Sequence, residues 1–326
     1  MLTRDYIEDL IHMRLPQEAV RAELARLAPE TLDDSELTSI IEAVESCLAV
    51  DTTALSEAGA EAIDCCGTGG SSLHHFNTST ATAFVLAAAE VKVAKFGNQA
   101  ASGACGSFDF LRALGFTTEV APSVAATVLK ETGIVFMYAP AFYPVLRQFT
   151  AVRKSIAART VFNFIGPLLN PARPAYRLLG VSDRHMQSLI AQHLRKSGTT
   201  RQALIVTAAN GLDEIDAAGT TKIQRVVGKE IFYESFQPAN NAADCAQLPM
   251  LHVEASVQIF SRLLSGQDTK SYYYQLLTVN AGAAFFTCRK TASIAAGIEL
   301  AGELLRSGAV LHTLDKVRRS HVGFSH

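Results

Sequence analysis

Glycines and hydroxyl residues are concentrated between Asp64 and Asp109 and are accompanied by Lys95, a combination suited to binding a phosphorylated small molecule. Glycine can adopt positive φ and bring backbone N–H groups close to an anion. A helix start adds free N–H groups and the positive end of its dipole. The pattern consists of Asp64-Cys65-Cys66-Gly67-Thr68-Gly69-Gly70, Asn77-Thr78-Ser79-Thr80, Lys95-Phe96-Gly97-Asn98 and Gly103-Ala104-Cys105-Gly106-Ser107. We therefore predict a site for a ligand that carries several phosphate groups.

The spacing of these glycines differs from the dinucleotide fingerprint and from the nucleoside triphosphate loop, which disfavours NAD and ATP sites. One glycine run alone is more often a plain turn between a strand and a helix. Here a second loop follows the apolar strand predicted at residues 91–94 and leads into a helix predicted at residues 108–114. Ligands of open α/β sheets bind beyond the carboxyl ends of the strands. We therefore expect both loops to line one crevice.

Asp213 and Glu214 follow the apolar strand predicted at residues 203–206, again at its carboxyl end. Carboxylate oxygens suit Mg²⁺, although a solvated turn or a helix cap explains an acidic pair equally well. A diphosphate group requires charge neutralisation, which favours the metal interpretation. Cations that could bind a carboxylate or a phosphate precede residue 161, namely Arg147, Arg153, Lys154 and Arg159.

The elements that position these residues predict an α/β fold. The apolar spacing in residues 1–48 predicts amphipathic helices. These helices would form a thin layer, and a second subunit would help to cover its apolar faces. From Ile63 onward, short apolar strands at 91–94, 134–137, 178–181 and 203–206 alternate with helices, which indicates a mostly parallel sheet. Residues 218–246 read as strands and a polar loop, and 252–266 and 278–306 as long helices.

Composition fits a metabolic enzyme. The chain has 326 residues, 48% of them hydrophobic, so it can bury a large core, and its net charge of -2 argues against nucleic acid as a partner. Its six cysteines lack metal-ligand spacing, and no secretory leader precedes the charged first helix, so a reducing cytoplasm is expected. The apolar run 82–89 is too short to span a membrane.

Taken together and in order, these segments resemble anthranilate phosphoribosyltransferases along nearly the whole chain. The resemblance also rests on Gly106-Ser107-Phe108-Asp109, Arg159-Thr160-Val161-Phe162-Asn163, Gly166-Pro167-Leu168-Leu169-Asn170-Pro171 and Gly211-Leu212-Asp213-Glu214. It implies a helical domain (1–62, completed near 140–165), an α/β domain (63–326) of the nucleoside phosphorylase/phosphoribosyltransferase type, and a homodimer. It also implies Mg²⁺-dependent transfer of the phosphoribosyl group of 5-phosphoribosyl diphosphate (PRPP) to the amine of anthranilate, in tryptophan biosynthesis.

The resemblance assigns site residues position by position. PRPP would be bound by Gly67, Thr68, Gly69, Gly70, Asn77, Ser79, Thr80, Lys95 and Ser107. Mg²⁺ would be held by Ser79, Asp213 and Glu214, and the aromatic acceptor would be bordered by Asn98, Tyr143, Arg153, Pro167 and Phe96. No side chain is required as a covalent nucleophile, because the amine displaces diphosphate directly from the anomeric carbon.

Five positions depart from the family pattern. Ser71 replaces a common Asp, Phe96 a His, Gln99 an Arg, Ala104 a Lys and Tyr143 a His. These changes remove charge from the phosphate loops and make the acceptor side more aromatic. Three hypotheses therefore stand: transfer to anthranilate, transfer to a different aromatic acceptor, and a non-catalytic binding protein on the same fold.

Two pairs near the first loop have plain explanations. Cys65-Cys66 is best interpreted as small strand residues, and His74-His75 as an exposed loop pair rather than a metal site.

Overall fold

The computed structural model of the chain describes residues 4–69, 76–99, 105–116, 120–147, 152, 156, 158–238 and 251–322. Four short helices come first: α1 (Arg4–Ile11), α2 (Gln17–Arg26), α3 (Asp34–Glu45) and α4 (Thr53–Gly59). α3 begins with a capping box, in which the Asp33 carboxylate accepts a hydrogen bond from Glu36 N at 2.8 Å. The cap satisfies N–H groups that a helix start otherwise leaves unpaired.

The apolar side chains of this N-terminal layer are buried within a single chain. Ile7, Leu24 and Ile40 are each 0% exposed, and they belong to the same core as one face of the sheet. A second subunit, which the sequence led us to expect as a cover for these faces, is not needed for these residues, because the layer packs on the rest of its own chain.

The predicted helical segment near 140–165 does contact the N-terminal layer. Ala49 N donates to Phe142 O at 3.0 Å, and Val161 N donates to Leu27 O at 2.9 Å. Phe142 is the last residue of a short helix that begins at Ala139. The division into domains 1–62 and 63–326 stays a prediction, since the buried core is continuous across it.

A seven-stranded sheet forms the centre of the molecule. Its strands are β1 (Ile63–Gly67), β2 (Val93–Gly97), β3 (Ile134–Tyr138), β4 (Tyr176–Gly180), β5 (Gln202–Ala208), β6 (Thr221–Val227) and β7 (Glu230–Phe236). They lie in the order β3-β2-β1-β4-β5-β6-β7, with β1 to β5 parallel and the last two strands antiparallel. Strand order reverses between β1 and β4, and this switch point is where open α/β sheets bind ligands.

Helices cover both faces of the sheet. They are α5 (Thr78–Ala88), α6 (Ser107–Ala113), α7 (Ala125–Thr132), α8 (Ala139–Phe142), α9 (Arg184–Ser197), α10 (Val253–Leu264), α11 (Tyr272–Thr287), α12 (Ile294–Arg306) and α13 (Ala309–Val322). Alternate strand residues point to opposite faces: Leu178 packs with α5 and the C-terminal helices, whereas Leu179 packs with α9 and the N-terminal layer. No helix in the described ranges is long and apolar enough to cross a membrane.

The predicted α/β fold with a mostly parallel sheet is confirmed, with shifts at element ends. β2 begins two residues later than predicted and continues to Gly97. The helix predicted at 278–306 is wrong as a single element. It is broken between Thr287 and Ile294, where Arg289 has a φ of 60° and the Ser293 side chain caps the next helix. The predicted strands within 218–246 are β6 and β7, while residues 239–250 lie outside the described part.

A partly buried histidine on α9 makes the stability of the fold depend on pH. Burial lowers the pKa of His193 to about 4, and the nearby Arg177 guanidinium contributes to the same shift. The folded protein therefore holds His193 neutral, and this contribution to stability is present above pH 6.5 and lost as pH falls toward 4. We expect the free energy of unfolding in urea to fall over this window, and to fall less in the His193→Gln variant. His312→Gln, at an exposed histidine on α13, is the control; equal pH slopes in all three proteins would contradict the prediction.

Candidate active site

The site is built on two glycines that end neighbouring strands at the switch point. Gly67 of β1 and Gly180 of β4 are paired in register. A Cβ on Gly180 would overlap the backbone carbonyl of Asp213, and a Cβ on Gly67 would overlap its carboxylate. The absence of side chains at these two positions lets the turn that carries Asp213 lie directly on the ends of the strands.

The acidic turn after β5 is buried and engaged with the first glycine loop. Asp213 is 6% and Glu214 is 9% exposed, which rules out the alternative of a solvated turn. Asp213 Oδ2 accepts a hydrogen bond from Gly69 N at 2.9 Å, and Gly69 has a φ of 68°, a conformation that favours glycine. The loop predicted to bind phosphate and the carboxylates predicted to bind metal are therefore in direct contact.

Asn280 of α11 supports this turn, and the sequence analysis missed it. Its Oδ1 accepts from Ile215 N at 3.0 Å, and its Nδ2 donates to Ile215 O at 2.9 Å. These two bonds fix the backbone next to Glu214. A polar residue inside the apolar run 276–286 was the signal that could have identified it. The next carboxylate, Asp216, accepts from Tyr272 OH at 3.0 Å and so belongs to the scaffold of the turn.

The side chain of Lys95 is buried between strand β1 and the start of α5. It is 3% exposed, and its Nζ donates to Cys65 O at 2.6 Å and to Ser79 Oγ at 3.2 Å. Lys95 thereby joins β1 to the start of α5. A buried ammonium beside a phosphate loop provides positive charge that water does not screen strongly.

The buried carboxylate of Asp64 and the side-chain amide of Asn170 connect the first two strands of the sheet. Burial raises the pKa of the Asp64 carboxyl, while Lys95, the hydrogen bond from Asn170 and Arg177 act in the opposite direction. Asn170 Nδ2 donates to Asp64 Oδ2 at 2.7 Å and to Ala94 O at 2.8 Å. The segment Gly166 to Pro171 is thus anchored to the first two strands of the sheet.

The start of α5 contacts the second glycine loop. Asn77 Nδ2 contacts Cys105 Sγ at 2.9 Å, and Ser107 Oγ donates to Asn98 O at 3.0 Å. The first contact joins the start of α5 to the second loop, and the other joins that loop to the end of β2. Asn77, Asn98 and Ser107 therefore lie along one edge of the sheet, where strand carboxyl ends meet.

The aromatic residues predicted near the acceptor pack on one another. Phe96 is 5% and Tyr143 is 2% exposed, and their rings meet edge to face with centroids 6.1 Å apart. Burial raises the pKa of Tyr143, and Glu45 adds to that shift. The phenol therefore stays neutral over the physiological range.

Two more of the predicted residues have hydrogen-bond partners in the fold, and others lie outside the described residues. Pro167 is buried, and its carbonyl accepts from Arg177 Nη1 at 2.9 Å. Arg159, one of the predicted cations, donates to Ser182 Oγ at 2.9 Å. The predicted residues Gly70 and Arg153 lie outside the described residues, as do Ser71, His74, His75, Ala104 and Lys154.

One pocket brings the predicted metal residues together. Gly67, Ser79, Asp213 and Glu214 all contribute to its wall. The Thr68 hydroxyl, in the same glycine loop, is buried without a hydrogen-bond partner among the described residues. The same holds for the hydroxyl of Thr80. An unpaired buried hydroxyl is costly unless a ligand satisfies it.

The donor chemistry of this pocket fits Mg²⁺. The described residues contain no cluster of three or more His, Cys, Asp or Glu that could hold a metal by themselves. Mg²⁺ is usually bound by one or two carboxylates together with water and substrate phosphates, which matches an acidic pair facing a glycine loop. Cys65 and Cys66 lie in β1 as small strand residues, and burial raises the pKa of both thiols well above its usual value.

Known proteins resemble this chain over most of its length. The model of the glycosyl transferase family, a/b domain, matches residues 59–311. An anthranilate phosphoribosyltransferase of Syntrophomonas wolfei subsp. wolfei is 35% identical over 313 residues, covering 94% of this chain and 89% of that protein. The protein of the same name from Nitrosomonas europaea is 40% identical over 248 residues, covering 76% and 72%.

Two solved structures have folds similar to that of this chain. The anthranilate phosphoribosyltransferase from Thermus thermophilus matches with a TM-score of 0.84 and 28% identity, covering 99% of this chain and 96% of that chain. The Saccharomyces cerevisiae protein in complex with PRPP and Mg matches with a TM-score of 0.84 and 21% identity, covering 98% and 92%. The second match bears on the fold alone.

Proposed function

The chain belongs to the anthranilate phosphoribosyltransferase family, and on that premise we propose that it transfers the phosphoribosyl group of PRPP to the amine of anthranilate, releasing diphosphate. This is a pentosyl transfer that serves tryptophan biosynthesis. One observation carries the proposal: the buried Asp213–Glu214 turn contacts the first glycine loop through the hydrogen bond from Gly69 N to Asp213 Oδ2. The proposed metal ligands and the proposed phosphate loop are thereby adjacent, as transfer from a diphosphate requires.

Mg²⁺ is the cofactor, and Asp213, Glu214 and Ser79 are the residues proposed to hold it. Bound Mg²⁺ neutralises negative charge on the departing diphosphate. The proposed PRPP contacts are Gly67, Thr68, Gly69, Gly70, Asn77, Thr80, Lys95 and Ser107, together with Ser79. The positive end of the α5 dipole and the unpaired hydroxyls of Thr68 and Thr80 suit phosphate oxygens.

The protein's part in the reaction is to bind, align and stabilise charge. The bond between the anomeric carbon and the diphosphate oxygen breaks, the amine nitrogen bonds to that carbon, and the amine then loses a proton. No protein nucleophile takes part, so a single displacement inverts the configuration at the anomeric carbon. The positive end of the α5 dipole and the buried Lys95 ammonium favour the transition state because they need no reorientation as charge develops.

A different aromatic acceptor is the second candidate, and a specific feature favours it. Phe96 and Tyr143, both proposed to border the acceptor with Asn98, Arg153 and Pro167, form a buried edge-to-face aromatic pair. Such a pair gives the acceptor side an apolar wall, with fewer groups to bind a carboxylate than two histidines would supply. An aromatic amine with a weaker acidic group would suit this wall.

Assembly and location are further proposals. We propose a homodimer, on the strength of the family, with light scattering as the test. We propose the cytoplasm because the five described cysteines, Cys47, Cys65, Cys66, Cys105 and Cys288, are free thiols. Free thiols suit a reducing compartment.

Calorimetric titration with PRPP in the presence and absence of Mg²⁺ tests the proposal first. Anthranilate is then added to the same sample, and its consumption is followed by fluorescence. Metal-dependent PRPP binding with anthranilate consumption supports the main proposal. PRPP binding without anthranilate consumption supports a different acceptor, which a panel of other aromatic amines would identify. The absence of PRPP binding contradicts phosphoribosyl transfer by this chain.

Lys95→Met should weaken PRPP binding by about 10- to 100-fold, because hydrogen bonds to charged groups contribute roughly 1.5 to 3 kcal/mol. Methionine fills nearly the same volume but removes the charge that contacts Ser79 Oγ and Cys65 O. Lys92→Met is the matched control, since Lys92 lies just before the same strand with an exposed side chain. Unchanged PRPP affinity in Lys95→Met, measured by calorimetry, would contradict the role given to Lys95.

A further inference from the structure

A threonine on α5 faces the same pocket as the acidic pair. Thr82 lies three residues after Ser79, so the two side chains share one face of the helix. Both residues contribute to the pocket wall that Asp213 and Glu214 also form. Thr82 is 0% exposed, so its side chain reaches the pocket from a fully buried position.

The hydroxyl of Thr82 has no hydrogen-bond partner among the residues that the structure describes. A threonine inside a helix commonly bonds back to the carbonyl four residues earlier, and thereby satisfies its own hydroxyl. Thr278, Thr287 and Thr313 all do so in this protein, at 2.7 to 2.9 Å. Valine has the same shape as threonine without the hydroxyl. An unpaired hydroxyl at this position is therefore a cost to the fold that a ligand in the pocket would remove.

The chemistry of the pocket identifies the ligand. Asp213 and Glu214 suit a divalent cation, and Mg²⁺ keeps several of its water molecules when it binds to proteins. Those water molecules need hydrogen-bond acceptors around the site, and such outer partners strongly affect metal affinity. A hydroxyl can accept from a water molecule, and the side chains of the neighbouring wall residues Leu178 and Val206 cannot.

We infer that Thr82 is a further binding residue of this site, whose hydroxyl accepts a hydrogen bond from a water molecule of the Mg²⁺ held by Asp213 and Glu214. This inference rests on the proposed function, since it takes the metal site as given. It extends the metal-binding surface from the acidic turn across the pocket to the buried face of α5.

The inference predicts opposite effects on stability and on metal binding. Thr82→Val should raise the thermal unfolding midpoint of the ligand-free protein by about 1 to 3 °C, because it removes an unpaired buried hydroxyl. The same variant should weaken the apparent Mg²⁺ affinity about tenfold, the usual effect of losing an outer-sphere partner. A threonine whose hydroxyl is hydrogen-bonded within the fold would instead lower stability when replaced by valine.

Two control variants make the comparison specific. Thr200 is also buried, with a hydroxyl that lacks a partner among the described residues, but it precedes β5 at the opposite end from the site. Thr200→Val should therefore raise stability without changing Mg²⁺ affinity. Thr82→Ser keeps the hydroxyl and should bind Mg²⁺ within about twofold of the natural protein. Serine also keeps the test valid if Thr82→Val fails to fold.

The experiment is a calorimetric titration of Mg²⁺ at fixed PRPP, repeated as a titration of PRPP at saturating Mg²⁺, with ligand-free thermal unfolding of every variant. Weaker Mg²⁺ binding that saturating metal overcomes supports the inference. Natural Mg²⁺ affinity in Thr82→Val overturns it, as does a loss that persists at saturating Mg²⁺, which would indicate direct contact with PRPP. If the natural protein itself binds no PRPP with Mg²⁺, the proposed function fails, and that result is distinct from the first two.

Discussion

Gly180→Ala should abolish Mg²⁺-dependent PRPP binding and lower the free energy of unfolding by about 3 kcal/mol, as overpacking of a buried site does. The added Cβ would overlap the carbonyl oxygen of Asp213, which is a backbone atom. Relief of that overlap requires the whole acidic turn to move away from β4. Such a movement would also break the hydrogen bond between Gly69 N and Asp213 Oδ2.

Two further glycine variants separate the loss of binding from the loss of stability. Gly67→Ala meets the Asp213 carboxylate, a side chain that can rotate, so it should lose PRPP binding with a smaller change in stability. Gly166→Ala is the steric control, because its Cβ meets no atom within 4 Å. Calorimetry and urea unfolding measure both quantities. PRPP affinity within about threefold of the natural protein in Gly180→Ala would show that the contact between turn and strand does not matter for binding.

The double variant Asp213→Asn with Glu214→Gln should lower kcat/KM by about 10³-fold or more, since the loss of metal-assisted charge stabilisation costs several kcal/mol. Both substitutions keep the size of the side chain. We prefer Asp213→Asn to Asp213→Ala because the amide oxygen can still accept a hydrogen bond from Gly69 N. The change therefore removes charge while it preserves the packing of the turn. PRPP titrations should lose their dependence on Mg²⁺.

The control for this variant is Glu234→Gln, which removes a carboxylate from the ion pair with Arg225 on β6, away from the pocket. It should leave kcat/KM unchanged. Thermal unfolding of the double variant without ligand should stay close to that of the natural protein. Mg²⁺-dependent PRPP binding that survives the double substitution would exclude Asp213 and Glu214 as the metal ligands.

Local patterns in the sequence were sufficient for the strands and for the loops that follow them. Gly67 and Gly97 each end a parallel strand, and Asp213 and Glu214 follow β5, as their place after apolar runs indicated. These features depend on residues close together in the chain. Parallel strands bring their carboxyl ends to one edge, so the prediction that the loops converge followed from the fold class alone.

Contacts between distant parts of the chain needed the tertiary structure. Gly69 and Asp213 are 144 residues apart, and their hydrogen bond exists because β1 and β4 are neighbours at the switch point. No local pattern specifies that neighbourhood. Asn280 and Thr82 escaped notice for the same reason: each lies in an apolar helix, and only the packing of that helix decides whether a polar side chain meets the core or the pocket.

The sequence by itself therefore determined the fold class, the family and the chemical types of the site residues, because these are written in periodicity and short motifs. Tertiary structure alone decided which of those residues are in contact and how deeply the acidic pair is buried. It also decided which buried threonine hydroxyls, such as that of Thr82, lack a hydrogen-bond partner among the described residues. Burial and contact depend on the packing of α5, α11 and the acidic turn around one pocket, and that packing is a property of the whole fold rather than of any segment.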